Sequence, residues 1–263
     1  MRVILTRPER EARQWVGALA QAGMDVISMP LIAIDGPPDP QAVVRAWQGV
    51  EQLDAVMFVS GNAVDHFFAL KPPLAPVFVA QSAIKTRAFV TGPGSREALL
   101  RNGVDVACID APDTQAGQFD SEALWAVVQQ RVHPGFRVLI VRGADSADAR
   151  SEGAGRDWFT RQVKAAGGQV ELVASYQRRC PTLTPAELVA VRGAATDGSV
   201  WLFSSSEAVA NLNSLLPDQS WQQARAVATH PRIAQAARTA GFGVVCESRP
   251  ILGAVVASIE SLQ

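Results

Sequence analysis

A repeated order of strands and helices constrains this 263-residue chain more than any single motif does. Short apolar runs that suit buried strands alternate with stretches of helical periodicity, and the same order occurs in both halves. The matched stretches are 13–26 with 156–170, 55–64 with 200–209, and 91–103 with 229–241. Strands that alternate with helices predict parallel sheets flanked by helices, because parallel strands need a crossover connection. We therefore predict an α/β protein built by internal duplication.

Two proline-bearing segments, residues 30–40 and 173–181, lie at the same place in the two halves. We interpret both as extended linkers between two lobes. Two such crossings combine residues 1–34 and 180–263 in one discontinuous lobe, and they leave residues 39–173 to form the other.

A second arrangement fits the repeat nearly as well. It consists of two consecutive lobes, residues 1–133 and 134–263. The discontinuous arrangement places the N-terminal strand–helix–strand unit with the last third of the chain, whereas the consecutive one keeps each half together. The order of elements leaves both open.

Local patterns predict several boundaries. Asp39 is expected to cap a helix that has Pro40 in its first turn, and residues 184–187 match a capping box. Residues 104–109 are predicted to form a strand. The small and polar stretch 144–155 is predicted to be a loop.

Composition excludes several classes of protein. Apolar residues make up 48% and charged residues 19%, which suits a globular protein with a substantial core. The net charge of −1 gives no broad attraction to nucleic acid or to an anionic membrane. The first seven residues suit a strand and not a signal peptide, and no apolar run approaches the ~20 residues that span a bilayer. Three widely spaced cysteines favour a reducing, cytoplasmic compartment.

Six predicted strands end in short polar or glycine-containing turns. These turns are Arg7, 60–62, Thr91-Gly92, Arg142-Gly143, 204–206 and Thr229-His230. Ligands of open parallel sheets bind beyond the carboxyl ends of the strands, and each turn leads into a helix N-terminus, which favours anions. Any one turn, taken alone, is better explained as an ordinary helix cap. Six of them, with two arginines, indicate an anion-binding cleft.

The common cofactor motifs do not occur. No dinucleotide-binding glycine fingerprint follows a strand, and the chain has no phosphate loop. His66, His133 and His230 are scattered, so we expect no metal site and no cofactor. His230 precedes a proline at a helix start, where it either caps the helix or faces a ligand. A site without a metal, a cofactor or a nucleophile would act by positioning and electrostatics.

Tyr176 is the single tyrosine of the chain. It lies where a predicted strand, residues 170–175, runs into the second crossing, so we expect it at the mouth of the cleft between the lobes. The plainer interpretation is a half-buried strand residue whose hydroxyl lies in water.

A series of short motifs follows a specific order over nearly the whole length of the chain. These motifs are 5–8, 29–31, 58–64, 91–95, 98–99, 141–143, 155–158, 176–179, 203–205 and 229–234. In these motifs and in their order the sequence resembles the uroporphyrinogen-III synthase family.

The resemblance implies two flavodoxin-like lobes, each a parallel sheet flanked by helices, joined by two extended linkers. It also implies that the first lobe is built from both chain ends, which favours the discontinuous arrangement. The implied substrate is hydroxymethylbilane, a linear tetrapyrrole with eight carboxylates. The implied reaction, a step of porphyrin and heme biosynthesis, is loss of water, inversion of the last pyrrole ring and closure to uroporphyrinogen III, without a cofactor. We expect a monomeric carbon–oxygen lyase with no nucleic-acid or membrane partner.

The resemblance also implies roles for particular residues. Tyr176 matches the tyrosine that is the favoured candidate for assisting departure of the hydroxyl. Other residues would hold the substrate carboxylates, largely through backbone N–H groups. They are Ser60, Gly61, Asn62, Thr91, Gly92, Ser95, Arg142, Ser204, Ser205 and Thr229, together with the strand-end residues Arg7 and Gly143.

Two departures from the family pattern are visible. Gly61 stands where family members often have alanine, and residues 229–231 replace the glycine–proline–threonine turn of many relatives. Two other functions are weighed against the enzyme. One is a non-catalytic protein of the same fold that binds an anionic ligand or regulates. The other is a flavodoxin-like nucleotide binder, which the missing phosphate loops disfavour.

Overall fold

The computed structural model describes residues 1–73, 75, 85–113, 119–144 and 154–262, with a few side chains in these ranges left undescribed. The predicted loop at 144–155 therefore lies almost wholly outside the described residues. The chain divides into two compact units. Unit 1 comprises Met1–Ala33 and Arg179–Gln263, and unit 2 comprises Ile34–Arg178.

Strands and helices alternate along the described ranges. The strands are β1 (Arg2–Leu5), β2 (Asp25–Ser28), β3 (Ala33–Asp35), β4 (Ala55–Phe58), β5 (Arg87–Val90), β6 (Ile109–Asp110), β7 (Arg137–Gly143), β8 (Gln169–Arg179), β9 (Val200–Phe203), β10 (Arg225–Ala228) and β11 (Val244–Glu247). The α-helices are α1 (Glu9–Gln21), α2 (Pro40–Gly49), α3 (Gly61–Ala69), α4 (Pro93–Arg101), α5 (Ser121–Val128), α6 (Ala154–Ala165), α7 (Pro185–Gly193), α8 (Ser206–Leu215), α9 (Pro231–Thr239) and α10 (Leu252–Glu260).

Unit 1 contains a five-stranded sheet in the order β11-β10-β9-β1-β2, and every pair in it is parallel. Counted along the unit's own chain, this order is 2-1-3-4-5, which is the flavodoxin-like order. Unit 2 contains a six-stranded sheet in the order β3-β8-β7-β4-β5-β6. Its pairs β8–β7, β7–β4, β4–β5 and β5–β6 are parallel. The prediction of parallel α/β sheets is confirmed.

Each sheet takes strands from both halves of the repeat. In unit 1, β1 and β2 of the first half join β9, β10 and β11 of the second. In unit 2, β7 and β8 of the second half join β4, β5 and β6 of the first. The repeated halves have therefore exchanged their strand–helix–strand units. The central pairs that hold this exchange are β1–β9 and β4–β7.

Side chains of the unit 2 sheet alternate between two cores. One face packs on α2, α3 and α4, with Trp47 and Phe67 stacked at a centroid distance of 4.5 Å. The other face packs on α5 and α6 through residues such as Leu124 and Phe159. Both faces are covered by helices, which explains why strands such as Ala55–Phe58 are apolar at every position.

The unit 1 sheet also packs on both faces. Val3, Leu5 and Leu202 meet α1 and α10 on one side. On the other side Trp201 makes an edge contact with Trp221 at a centroid distance of 5.4 Å and donates from Nε1 to the Ala194 carbonyl at 3.1 Å.

Several local predictions are confirmed. Asp39 caps α2 with Pro40 in the first turn, and Thr184 and Glu187 form the capping box of α7. The predicted strand at 104–109 is wrong, because residues Val106–Cys108 form a 3-10 turn and only Ile109–Asp110 pair with β5. Asp105 accepts from the Ala107 N–H at 2.9 Å, and this cap diverts the backbone from the ladder.

The composite sheets lead to a prediction about fragments. We expect residues 34–178, expressed alone, to unfold cooperatively in urea, because they retain the β4–β7 and β7–β8 pairs. Residues 1–133 should lack a cooperative transition, since β4 loses β7, and β1 loses β9. Circular dichroism and amide NMR dispersion measure both. A well-folded 1–133 fragment beside an unfolded 34–178 fragment would contradict the composite units.

Candidate active site

The carboxyl ends of β4, β5, β7 and β8 lie at one edge of the unit 2 sheet, because these strands run parallel. Most of the residues that the sequence singled out occur at this edge. They are Ser60, Gly61 and Asn62 after β4, Thr91, Gly92 and Ser95 after β5, Arg142 and Gly143 at the end of β7, and Tyr176 in β8.

Tyr176 is buried at this edge. The residue is 2% exposed and belongs to the core that packs on α2, α3 and α4. Its hydroxyl lies 3.2 Å from Ser60 Oγ. The interpretation of a half-buried residue with its hydroxyl in water is therefore wrong, since a serine takes the place of that water.

An irregularity between β7 and β8 gives Tyr176 this orientation. The register is even as far as Arg142 opposite Ala174, and then Gly143 pairs with Tyr176 instead of Ser175. Side chains alternate along a strand, so one extra residue moves Tyr176 to the face that holds Val173. The shift is why a strand pattern alone does not predict the side on which the tyrosine lies.

The extra residue, Ser175, is fully buried and ties β8 to α3. Its Oγ donates to the Ala63 carbonyl at 3.1 Å. The N–H of the same Ala63 donates to Ser60 Oγ at 3.1 Å, which caps α3. Ser60, Ala63, Ser175 and Tyr176 thus form a closed ring of contacts between the strand and the first turn of the helix.

Gly143 gives the tyrosine ring its space. A Cβ atom at this position would lie 2.8 Å from Tyr176 Cζ and 3.1 Å from the Tyr176 hydroxyl oxygen. The first distance is shorter than two carbon atoms tolerate, and the second is tight enough to require a small shift of the ring. Glycine at 143 is therefore required by the close approach of the ring and not by an unusual backbone angle, since its φ is not positive.

His66 is a neighbour of Tyr176 that the sequence did not reveal. The two rings are stacked, with centroids 6.0 Å apart and planes at 27°. His66 lies three positions after Ala63 in α3, so both occupy the same side of the helix. That spacing was visible in the sequence, but the position of Tyr176 beside the helix was not.

The N-termini of α3 and α4 meet at this edge as well. An added Cβ at Gly61 would lie 3.5 Å from the Gly94 carbonyl oxygen, which is ordinary contact. An alanine at position 61 would therefore fit here. Gly92 is the N-cap residue of α4 and makes no side-chain cap. Ser95, in the first turn of α4, is 6% exposed.

The remaining predicted residues lie at the carboxyl edge of the unit 1 sheet. Arg7 follows β1, Ser204 and Ser205 follow β9, and Thr229 follows β10. Ser205 caps α8 by accepting from the Glu207 N–H at 3.1 Å. Thr229 is 8% exposed, and its N–H donates to the Phe203 carbonyl.

Arg7 is a charged group at this second edge. Its side chain is 17% exposed, and its guanidinium carbon lies 4.5 Å from the centre of the Trp15 ring. Glu11 forms an ion pair with Arg7, with 3.8 Å between Nη1 and Oε2. Nε is buried and has no hydrogen-bond partner among the described residues. Burial lowers the pKa of Arg7, and the Glu11 carboxylate partly opposes that shift.

His230 acts as a cap. Its Nδ1 accepts from the Arg232 N–H at 3.1 Å at the start of α9. The expectation that His230 caps a helix is confirmed. The described ranges contain no group of three or more His, Cys, Asp or Glu side chains that could hold a metal ion. Nor does any helix in them have the length and apolar character to cross a membrane.

The crowding at Gly143 gives a testable prediction. Gly143→Ala should displace the Tyr176 ring and break its contact with Ser60, at a cost of about 1–3 kcal/mol in unfolding free energy. The chain has one tyrosine, so a ¹³Cζ-tyrosine label gives a single NMR signal that reports the ring directly. Gly49→Ala is the control, because its added Cβ meets no described atom within 4 Å apart from its chain neighbours and the backbone of its own helix. An unshifted tyrosine signal in Gly143→Ala would contradict this account.

Comparison with known proteins agrees with this architecture. A family model described as uroporphyrinogen-III synthase HemD matches residues 13–257. The fold is similar to the uroporphyrinogen-III synthetase of Helicobacter pylori, at 14% identity over 100% of both chains, with a TM-score of 0.60. It is also similar to a mutant uroporphyrinogen III synthase of Thermus thermophilus, at 14% identity over 100% of this chain and 98% of the other, with a TM-score of 0.51. Since the family model spans most of its length, the chain belongs to the uroporphyrinogen-III synthase family.

Proposed function

We propose that this protein converts hydroxymethylbilane to uroporphyrinogen III, with loss of water and inversion of the last pyrrole ring. Membership of the family over residues 13–257 supports the reaction. One contact supports the choice of residues for this reaction. The Tyr176 hydroxyl meets Ser60 Oγ at the carboxyl edge of a parallel sheet.

Tyr176 is the proposed acid of the first step. Its phenol donates a proton to the hydroxyl of the substrate, the carbon–oxygen bond breaks, and water leaves. The pyrrole nitrogen supplies the electron pair that stabilises the resulting cation. When the ring closes after the inversion, the attacked pyrrole carbon loses a proton, and this proton restores the phenol. The chain thus gains no net proton, and the products are the macrocycle and one water molecule.

Substrate access requires a local displacement at the Tyr176 edge. The residue is 2% exposed, whereas proton transfer needs direct contact of about 2.6–3.2 Å between heavy atoms. The Tyr176 carbonyl accepts from the Ala144 N–H at 2.7 Å, which holds the backbone of the tyrosine in place.

The two sheet edges are proposed to hold the substrate carboxylates. Helix N-termini offer unpaired backbone N–H groups and a favourable dipole to anions, and the two arginines add charge. The proposed binding residues of unit 2 are Ser60, Gly61, Asn62, Thr91, Gly92, Ser95, Arg142 and Gly143. Those of unit 1 are Arg7, Ser204, Ser205 and Thr229.

The cellular context is proposed on chemical grounds. Cys108, Cys180 and Cys246 are free thiols, which suits a reducing compartment such as the cytoplasm. We propose that the protein acts there as a monomer without a cofactor. The competing function, a non-catalytic binding or regulatory protein, has no specific observation in its favour.

Product analysis separates the two functions. The protein is mixed with freshly made hydroxymethylbilane, and the uroporphyrinogen isomers are separated by chromatography. We expect the type III isomer to dominate. Formation of the type I isomer alone, which arises by spontaneous closure, would show that the chain is not this enzyme.

Removal of the phenolic hydroxyl tests Tyr176. Tyr176→Phe should fold normally, with about 1 kcal/mol lost from the single hydrogen bond. Its kcat should fall by roughly 10²-fold or more, the range of a lost general acid. Single-turnover kinetics measure the loss, and thermal unfolding checks the fold. A variant with the wild-type rate would remove Tyr176 from the chemistry.

Arg7 is tested through affinity. Arg7→Gln should raise KM about tenfold or more with little change in kcat, because a charge-assisted contact to a carboxylate is worth about 1.5–3 kcal/mol. Arg7→Lys should recover only part of the affinity, since lysine lacks the planar group that stacks on Trp15. Arg13→Gln is the matched control, because Arg13 is 78% exposed and pairs with Glu9 at the surface. Equal KM values for Arg7→Gln and Arg13→Gln would exclude Arg7 as a carboxylate ligand.

A further inference from the structure

We propose that Ser60 is a positioning residue that donates its hydroxyl proton to the Tyr176 oxygen and thereby leaves the phenolic proton free for transfer. This inference rests on the proposed role of Tyr176 as the acid. It gives the Ser60 side chain a role other than binding a substrate carboxylate, a contact that its backbone N–H can still make.

The cap of α3 fixes the direction of one of the two hydrogen bonds of Ser60 Oγ. An amide N–H can only donate, so Ser60 Oγ must accept from Ala63 at 3.1 Å. This leaves the serine with one hydroxyl proton and one lone pair. Its Oγ lies 3.2 Å from the Tyr176 oxygen, and only one of the two hydroxyl protons can lie between them.

The direction of that bond decides whether Tyr176 can act as an acid. If Tyr176 donates to Ser60, its proton points at the serine and is withheld from any leaving group. If Ser60 donates to Tyr176, the phenolic proton is free. The oxygen of Ser60 already accepts an N–H bond, which polarises its own O–H and makes it a better donor. The chain of bonds then runs from the Ala63 N–H through Ser60 to Tyr176.

The same direction assists proton release. As Tyr176 gives up its proton, negative charge develops on the phenol oxygen. The Ser60 hydroxyl stabilises that charge through its hydrogen bond, and the N-terminus of α3 adds the favourable end of its dipole. A serine that only filled space would supply neither effect.

The surroundings hold the two hydroxyls together. Ser175 Oγ donates to the Ala63 carbonyl at 3.1 Å, so β8 and the first turn of α3 are fixed to each other beside the bond. Gly143 lies against the hydroxyl end of the ring, where a Cβ would come within 3.1 Å of the oxygen. His66 stacks along the ring. These contacts restrict the ring to an orientation that faces Ser60.

The single tyrosine makes the bond direction measurable without substrate. The intensity ratio of the tyrosine Fermi doublet in the Raman spectrum distinguishes a phenol that accepts a hydrogen bond from one that donates. We expect the acceptor signature in the wild type and in Ser60→Thr, which keeps a hydroxyl at a position that favours threonine. Ser60→Ala should lose it. A donor-only signature in the wild type, or an unchanged signature in Ser60→Ala, would overturn the proposal.

Kinetics provide the second test. Ser60→Ala should lower kcat by about tenfold to a hundredfold, the effect of one hydrogen bond to a charged group, and Ser60→Thr should restore most of it. The double variant Ser60→Ala, Tyr176→Phe should be no slower than Tyr176→Phe alone, because the serine acts through the tyrosine. Additive losses would contradict the relay.

A matched cap variant separates positioning from helix stability. Thr184→Ala removes the N-cap of α7, which belongs to unit 1 and has no proposed role in the reaction. It should lower the melting temperature while leaving kcat and the tyrosine signature unchanged. If Thr184→Ala slowed the reaction as much as Ser60→Ala, the loss of kcat in Ser60→Ala would reflect stability and the proposal would fail. Wild-type activity in Tyr176→Phe would instead refute the acid, while the Raman comparison would still report the bond itself.

Discussion

Parallel pairing between strands from different halves of the chain is the constraint on which both units depend. Val3 lies opposite Val200 in unit 1, and Ala55 lies opposite Val138 in unit 2. Without these two central pairs each sheet would separate into two parts, and the outer strands would belong to smaller sheets. Parallel direction has a second consequence: every strand of a central group ends at the same edge. The polar turns that follow the strands therefore lie together at that edge.

A second and smaller constraint decides what one of these edges can do. One extra residue in β8 moves Tyr176 onto the face of Val173, where it meets the cap of α3. The shift works only because residue 143 is a glycine. An irregular register, a missing side chain and a capping serine therefore combine to place a phenol beside a helix N-terminus. The hydrogen bond to Ser60 is the outcome of backbone geometry as much as of the two side chains.

The two sheet edges carry different chemistry on the same topology. Unit 1 has the Arg7 guanidinium, which is largely buried and lies over the Trp15 ring. Its positive charge suits binding of an anion. Unit 2 offers two hydroxyls in contact, an arrangement suited to moving a proton. His230 caps α9 in unit 1 through Nδ1, so this ring nitrogen has a structural role. Duplication supplied the same framework twice, and a few side chains at the strand ends distinguish the copies.

The amino-acid sequence by itself determined the elements and their kind. Apolar runs, helical periodicity and the caps at Asp39 and Thr184 depend on neighbouring residues, so they could be predicted locally. The strand ends that hold the candidate residues followed from the same patterns. The predicted strand at 104–109 failed because a side-chain cap at Asp105 competed with the ladder, and strand propensity does not record that competition.

Only the tertiary structure decided the relations between distant residues. The exchange of strand–helix–strand units, the burial of Tyr176, the contact with Ser60 and the stacking of His66 all join parts of the chain that are far apart in sequence. The register slip reverses the inside–outside pattern of β8, so periodicity would have placed the tyrosine on the wrong face. A sequence pattern reports which residues are apolar or polar, whereas the pairing of strands fixes which of them meet.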